Sequence, residues 1–423
     1  MVDTLGHLAG KTFIFYYLWY GNPEHNGQWQ HWDHEVLPHW TEAENQRYPR
    51  IGSRHSPPDF LHSPYYPQRG PYSSTDDALL DEHMAEIKGL GNDPVVVLSW
   101  WGQASREGTS DTQGVQTDHR VAAALAAAAR AKVSVAWHLE PYPGRTAASV
   151  VEDTYYIQAK YGCDTCGEGA RAILRVPERG GEGKEHMVFF VYDSYHVPPG
   201  DWSAVLNVGN DRKDTPPGVF IALWLEDHHL DDIVRGGFHG FYTYFASSAF
   251  VWGSTPTHWG AMVADARNRG LLSVLSVGPG YVDHNIRPWN THNSRHRAHG
   301  HYYNDMWQKA MDANPDAMSV TSYNEWGEGT QIEPARNNQY DEHGHVKRDP
   351  SGAEYTDYHD EGGPNAYLEM TKKWIGEFSK HHRELRFLNP PEGHGHTKHG
   401  KPPKEPYRQR YRRKDPGHYD EEL

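Results

Sequence analysis

Short apolar runs alternate with amphipathic segments of helical spacing along this chain, and the alternation repeats eight times between residues 12 and 382. The runs are 12–17, 94–100, 132–139, 187–191, 219–223, 240–244, 271–278 and 317–323. The segments that follow them, predicted as helices, are 77–90, 118–131, 147–161, 201–206, 230–236, 259–269, 302–313 and 366–382. Runs that are apolar throughout, rather than at every second position, indicate strands buried on both faces, as in a parallel sheet. Strands alternating with helices place the chain in the α/β class. Eight such units predict a single (β/α)8 TIM barrel over residues 1–388, with enlarged strand-to-helix loops, the largest lying between residues 17 and 77. A doubly wound open sheet is the alternative, but the Gly-rich phosphate turn that its first strand normally carries does not follow Tyr17.

From Asn389 the pattern gives way to Pro, Gly, His and basic residues, so 389–423 is expected to be a disordered tail. Its last residues, Asp-Glu-Glu-Leu, loosely resemble an endoplasmic-reticulum retrieval signal. No apolar run approaches the ~20 residues of a membrane span. The amino terminus lacks the charged-then-apolar layout of a signal peptide, and no Asn-x-Ser/Thr sequon occurs.

Composition changes this picture in three respects. The formal charge of −15 argues against nucleic acid or an anionic membrane as partner and favours a neutral substrate. The 15 Trp and 26 Tyr exceed what packing needs and suit sugar rings, which stack on a flat apolar face and bond to a polar handle. The 30 His include no His-Glu-x-x-His signature, so most read as solvated polar residues and no metal or cofactor is implied. The two cysteines, Cys163 and Cys166, stand as one Cys-x-x-Cys in a Gly-rich acidic stretch, and read as a local loop clip or as two free thiols.

In a barrel of this kind the site lies at the carboxyl ends of the strands. Those ends read Tyr-Tyr-Leu-Trp-Tyr-Gly-Asn-Pro, Ser-Trp-Trp-Gly, His-Leu-Glu-Pro-Tyr, Tyr-Asp-Ser-Tyr, Tyr-Thr-Tyr-Phe, Gly-Pro-Gly-Tyr and Tyr-Asn-Glu-Trp-Gly-Glu-Gly. Carboxylates and aromatics at one end of strand after strand indicate a carbohydrate cleft. Candidate sugar-binding residues are Tyr17, Trp19, Trp101, His138, Glu140, Tyr142, Tyr195, Tyr244, Tyr281, Asn324 and Trp326, with Asp193 and Glu226 as weaker carboxylates that could instead cap a helix or pair with a base. Glycoside cleavage needs two carboxyl groups across the scissile bond, closer together for retention than for inversion. Glu325 and Glu328 share one strand-end loop, where Gly327 and Gly329 would permit a turn that brings them together. Two carboxylates so placed push one another's pKa apart, giving an acid beside a base.

These stretches, together with Ile-Arg-Pro-Trp-Asn-Thr and the continuation Thr-Gln-Ile-Glu after the two glutamates, occur in order across about residues 12–382. In them the chain resembles glycoside hydrolase family 99, the endo-α-1,2-mannosidases and endo-α-1,2-mannanases. The resemblance implies a retaining endo cut in an α-mannoside of an N-glycan or mannan, through a 1,2-anhydro sugar. It implies Glu325 as the base that assists the substrate's own 2-hydroxyl, Glu328 as the acid and then base, and Arg287 as a further substrate-binding residue. It implies no metal, an oligosaccharide or glycoprotein N-glycan as partner, and a monomer working in the Golgi lumen or secreted. Animal members that trim glucosylated N-glycans carry Tyr after Ser-Trp, whereas bacterial mannan-cleaving members are similar to this chain in having Trp, here Trp101. Glucose and mannose in the outer subsite both stay open.

Overall fold

The protein is described by a computed structural model over residues 5–177, 184–207, 218–336, 355–356, 358 and 362–388. Eight strands form a closed parallel barrel: β1 (Thr12–Tyr16), β2 (Val95–Trp100), β3 (Ser134–Leu139), β4 (Glu185–Val191), β5 (Gly218–Leu223), β6 (Gly240–Tyr242), β7 (Leu272–Val277) and β8 (Ala317–Val320). Each pairs with its neighbours in sequence, and β8 closes on β1 in the register Thr12 to Met318 and Ile14 to Val320. The helices between and after them are α1 (Asp77–Gly89), α2 (Val121–Ala131), α3 (Ala147–Lys160), α4 (Pro199–Leu206), α5 (His229–Gly236), α6 (Pro256–Asn268), α7 (His301–Asp312) and α8 (Ala366–Leu388). The sequence pattern therefore located the eight barrel strands and the eight helices that follow them to within a few residues, except that α8 runs on past 382 to Leu388.

Local chemistry explains several boundaries. Asp76 caps α1 by accepting from Ala78 N and Leu79 N, and Thr146 with Ser149 closes a reciprocal box at the start of α3. Two strands end more than one residue earlier than expected. β6 stops at Tyr242 because Tyr244 takes the left-handed region at φ 55°, and β8 stops at Val320 because Ser322 N turns to bond Thr330 O within its own loop.

Every β1 residue is buried, as continuous apolar strands require. Rings from β1, β3, β4 and β6 fill the barrel: Phe15 lies 4.7 Å from His138, 5.8 Å from Phe190 and 5.7 Å from Tyr242, centroid to centroid. This layer matters for function because the residues two positions further along the chain, just past the strand ends, line the cleft above it.

Two features were not anticipated. Arg175–Pro177 adds an antiparallel ribbon to β4, and Tyr66–Pro67 pairs with Ala335–Arg336, tying the first long insertion to the segment after β8. Of the two readings of the cysteine pair, the structure has the loop clip: Cys163 and Cys166 form a disulfide just after α3. Among the described residues no helix is long and apolar enough to cross a membrane. The expected tail, 389–423, lies outside the described residues.

Candidate active site

Period-two geometry carries the chain from core to cleft. Two residues beyond Phe15, His138, Phe190 and Tyr242 come Tyr17, Glu140, Tyr192 and Tyr244. Tyr17 and Tyr244 share a hydrogen bond of 2.5 Å between their hydroxyls, and the Tyr192 ring packs 5.0 Å from that of Tyr244. Trp19 stacks on Tyr17 at 4.4 Å and on His31 at 4.1 Å, and Trp101 stands 6.4 Å from Trp19. Trp101 buries an indole N–H that finds no acceptor among the described residues. Glu140 accepts from Ser99 Oγ at 2.8 Å and lies 2.8 Å from His138 Nδ1, while His138 Nε2 meets the Tyr242 hydroxyl at 2.9 Å.

The loop after β8 holds Glu325 and Glu328 by a chain of fixed contacts. Asn324 straddles the backbone of Tyr17, accepting from its N–H at 2.8 Å and donating to its carbonyl at 2.9 Å. The Tyr20 hydroxyl donates to Asn324 O and accepts from Trp326 N, so the segment after β1 braces the loop on either side of Glu325. Glu325 N bonds Ser322 Oγ at 2.7 Å, and Glu325 Oε1 accepts from the backbone N–H of Gly327 and, at 3.3 Å, of Glu328. The two expected glycines work differently. Gly329 supplies a φ of +61°, whereas Gly327 supplies space, since a Cβ there would lie 2.6 Å from Ile286 Cδ1 and 2.8 Å from His62 Cδ2.

Burial and its neighbour dominate the electrostatics of this pair. Burial, and then the charge of Glu328, hold the Glu325 carboxyl well above the usual carboxylate range, against the two backbone N–H donors and Arg287. Burial pushes Glu328 up to about 7, with Arg287 opposing and Asp283 and Glu140 assisting. Arg287 Nη1 reaches Glu328 Oε1 at 3.4 Å and Asp283 Oδ2 at 3.2 Å, and Asp283 also accepts from Tyr281 and Asn290. The site therefore keeps a proton on its carboxylate pair near neutrality, which is the condition for an acid beside a base.

Behind the loop lies a second, fully buried carboxylate. Glu333 accepts from the Tyr72 hydroxyl at 2.6 Å and Trp326 Nε1 at 2.9 Å, and meets His83 Nε2 at 3.0 Å. His83 Nδ1 in turn meets the Tyr16 hydroxyl at 2.9 Å. Glu333 thus anchors the indole of Trp326, the residue between the two glutamates of the pair and their turn.

The structure brings Tyr17, Trp19, Trp101, Glu140, Tyr244, Arg287, Glu325 and Glu328 together, with His138 beneath Glu140 and Tyr281 held by Asp283. It places four expected sugar ligands elsewhere. Asn324 and Trp326 are fully buried with their polar groups engaged, so they support the loop rather than face the cleft. Tyr142 spends its hydroxyl on Asp153 at 2.6 Å and Ser149 of α3. Tyr195 stands 38% exposed, stacked on His229, because the chain turns at Asp193 with φ 49° and only Tyr192 points inward. Asp193 accepts from the Tyr195 hydroxyl, and Glu226 O accepts from Trp224 Nε1.

The residues missed come largely from the first insertion and from the histidines. Among the described residues seven histidines are buried rather than solvated, including His31, His34 and His62, whose rings lie 5.2–6.0 Å apart beside Trp19. Burial pushes His34 down to about 2, and an uncharged imidazole packs as an aromatic once one nitrogen finds a carbonyl, as His62 Nδ1 does with Trp32 O. Asp283 carried one usable signal, its place next to the Gly-Pro-Gly-Tyr strand end. No group of three or more His, Cys, Asp or Glu among the described residues is arranged to hold a metal.

Comparison with known proteins follows the same outline. The profile of glycosyl hydrolase family 99 matches residues 7–380. The chain is 43% identical over 370 residues to the glycoprotein endo-alpha-1,2-mannosidase-like protein of Danio rerio, covering 87% of this chain and 78% of that one. It is 38% identical over 369 residues to the glycoprotein endo-alpha-1,2-mannosidase of Mus musculus, covering 86% and 74%. Its fold superposes on the GH99 endo-alpha-mannosidase from Bacteroides thetaiotaomicron with a TM-score of 0.74 and 34% identity, over 88% of this chain and 99% of that one.

Proposed function

The chain belongs to glycosyl hydrolase family 99 and is a glycoside hydrolase, and from that premise we propose that it is a retaining endo-α-1,2-mannosidase acting through the substrate's own 2-hydroxyl. The observation that carries this reading is the Glu325 and Glu328 pair, turned back on itself in one loop, with both carboxyls raised by burial and Arg287 on Glu328.

In this reading Glu325 takes the proton of the 2-hydroxyl as that oxygen attacks the anomeric carbon. The glycosidic bond breaks, and Glu328 gives its proton to the departing oxygen. Water then attacks the anomeric carbon of the 1,2-anhydro sugar, Glu328 accepts the water's proton, and Glu325 returns the first proton to the 2-oxygen. Burial raises both carboxyls, yet the reaction needs the shared proton on Glu328. The substrate itself supplies the bias: a glycosidic oxygen only accepts and so selects protonated Glu328, while a 2-hydroxyl can donate to ionised Glu325.

Trp101 favours a mannan-type preference for mannose over glucose in the outer subsite, because an indole face contacts a sugar hydroxyl that a tyrosine would hydrogen-bond. The Cys163–Cys166 disulfide supports work in the secretory pathway or outside the cell, where disulfides persist.

Mass-spectrometric identification of the fragment released from α-1,2-mannan and from glucosylated high-mannose N-glycans tests substrate and outer subsite together, with Trp101→Tyr raising the share of the glucosylated fragment. Glu328→Gln should lose roughly 10²–10⁴-fold in turnover on these glycans and far less on a disaccharyl fluoride, whose leaving group needs little protonation. Undiminished turnover of both would overturn the assignment.

A further inference from the structure

β8 is flanked in the barrel by β1 and β7, and the loops from those two neighbours meet beside the loop that carries Glu328. Leu37, in the loop after β1, donates its N–H to Ile286 O in the loop after β7, and its carbonyl accepts from Trp289 Nε1 at 3.3 Å. Where they meet, Trp40, Trp289 and His39 form an aromatic cluster, with Trp40 and Trp289 at 5.3 Å edge to face and His39 at 3.6 Å from Trp40. Trp40 is 80% exposed, in a molecule whose other tryptophans are buried or half-buried among the described residues. An indole so exposed loses the contacts that normally hold it in place, and its neighbours here are rings rather than aliphatic core. Arg287, two residues before Trp289, points the other way, into the cleft, onto Glu328.

We propose that the Trp40–Trp289 cluster is a carbohydrate-stacking subsite for the glycan on the leaving side of the cut. This rests on the reading of Glu328 as the acid, since the group that protonates the departing oxygen marks the side on which the remainder of the glycan leaves. The cluster is continuous with that side through the 286–289 segment. It presents flat apolar faces for the C–H face of a pyranose, with His39 as polar rim. A single remote stacking contact of this kind adds binding for a long chain and none for a substrate that ends at the scissile bond.

The test compares α-1,2-mannan with a disaccharyl fluoride carrying the same donor sugars, in wild type, Trp40→Ala and Trp40→Phe. The expected result is a fall of about fivefold to tenfold in the ratio of kcat/KM for mannan to that for the fluoride in Trp40→Ala, largely restored in Trp40→Phe. Direct binding of mannan to the Glu328→Gln protein with and without Trp40→Ala should show the same loss. An unchanged ratio, or equal losses on both substrates, would overturn the subsite. Failure of the wild type to cleave either substrate would instead overturn the reading of the catalytic pair, and the binding arm would still report on the subsite.

Discussion

Glu325 and Glu333 leave the same strand, lie in one short segment and are both buried, yet the protein treats them in opposite ways. Glu333 is surrounded by donors: a tyrosine hydroxyl, an indole N–H and an imidazole within 3.0 Å, and the Arg69 guanidinium at 3.8 Å. Glu325 has two backbone N–H donors on one oxygen and a second carboxyl close by, so its charged form is poorly supported and its pKa rises. A buried carboxylate that is fully paired is part of the framework. One left short of partners in a cleft holds free energy for chemistry.

The sharpest way to break this comparison is to remove the charge from each. Glu333→Gln leaves buried donors facing an amide and strands His83, and should cost about 3 kcal/mol of unfolding free energy in denaturant titration. If Glu333→Gln proved neutral, the framework role would be lost. Glu325→Gln should move stability the other way. Its folded pKa lies above the unfolded value of 4.5, so the folded state holds an extra proton and loses stability as pH rises through that window. Gln keeps the oxygen that accepts from Gly327 and Glu328 and removes the titration, so the gain in Tm should be greater at pH 8 than at pH 4, while turnover collapses. A gain independent of pH would contradict the assigned cause.

A smaller effect is expected where the two regions are joined. Tyr20→Phe removes the hydroxyl that braces Asn324 and Trp326, about 1 kcal/mol of hydrogen bonding, and should lower kcat several-fold while leaving KM nearly unchanged. Equal changes in kcat and KM would point to general loosening instead. The smallest change is a displacement of the pH profile. The high-pH limb of kcat/KM reports loss of the shared proton, with Glu328 near 7. Arg287 holds Glu328 down, so Arg287→Met should move that limb to higher pH. An unmoved limb, or one shifted to lower pH, would show that Arg287 does not hold Glu328 down.

Much of this was legible beforehand. Eight apolar runs with helices between them located the barrel, because a strand buried on both faces has to be apolar throughout. The Glu325 and Glu328 pair stood out as a candidate because the strand ends of a barrel are where its active sites are built. Less legible was which polar residue at a strand end faces inward. Tyr192 and Tyr195 look equivalent in Tyr-Asp-Ser-Tyr, and the left-handed turn at Asp193 decides between them. Trp326 and Asn324 have the composition of sugar ligands, but their partners, Glu333 and the backbone of Tyr17, belong to other elements. Which of the histidines are buried was not legible for the same reason, since whether an imidazole is solvated depends on carbonyls such as Trp32 O that no local pattern announces.

The sequence by itself determined the periodicities, and through them the barrel, the end at which chemistry collects and the residue types available there. These are properties of short stretches, where each side chain's face follows from its spacing. Only the tertiary structure decided which buried carboxylate is paired and which is strained, that Gly327 is needed for room and Gly329 for its dihedral, and that loops from β1 and β7 meet beside Glu328. Burial and Coulomb energy depend on distances between segments far apart in the chain, and those distances exist only once the barrel closes.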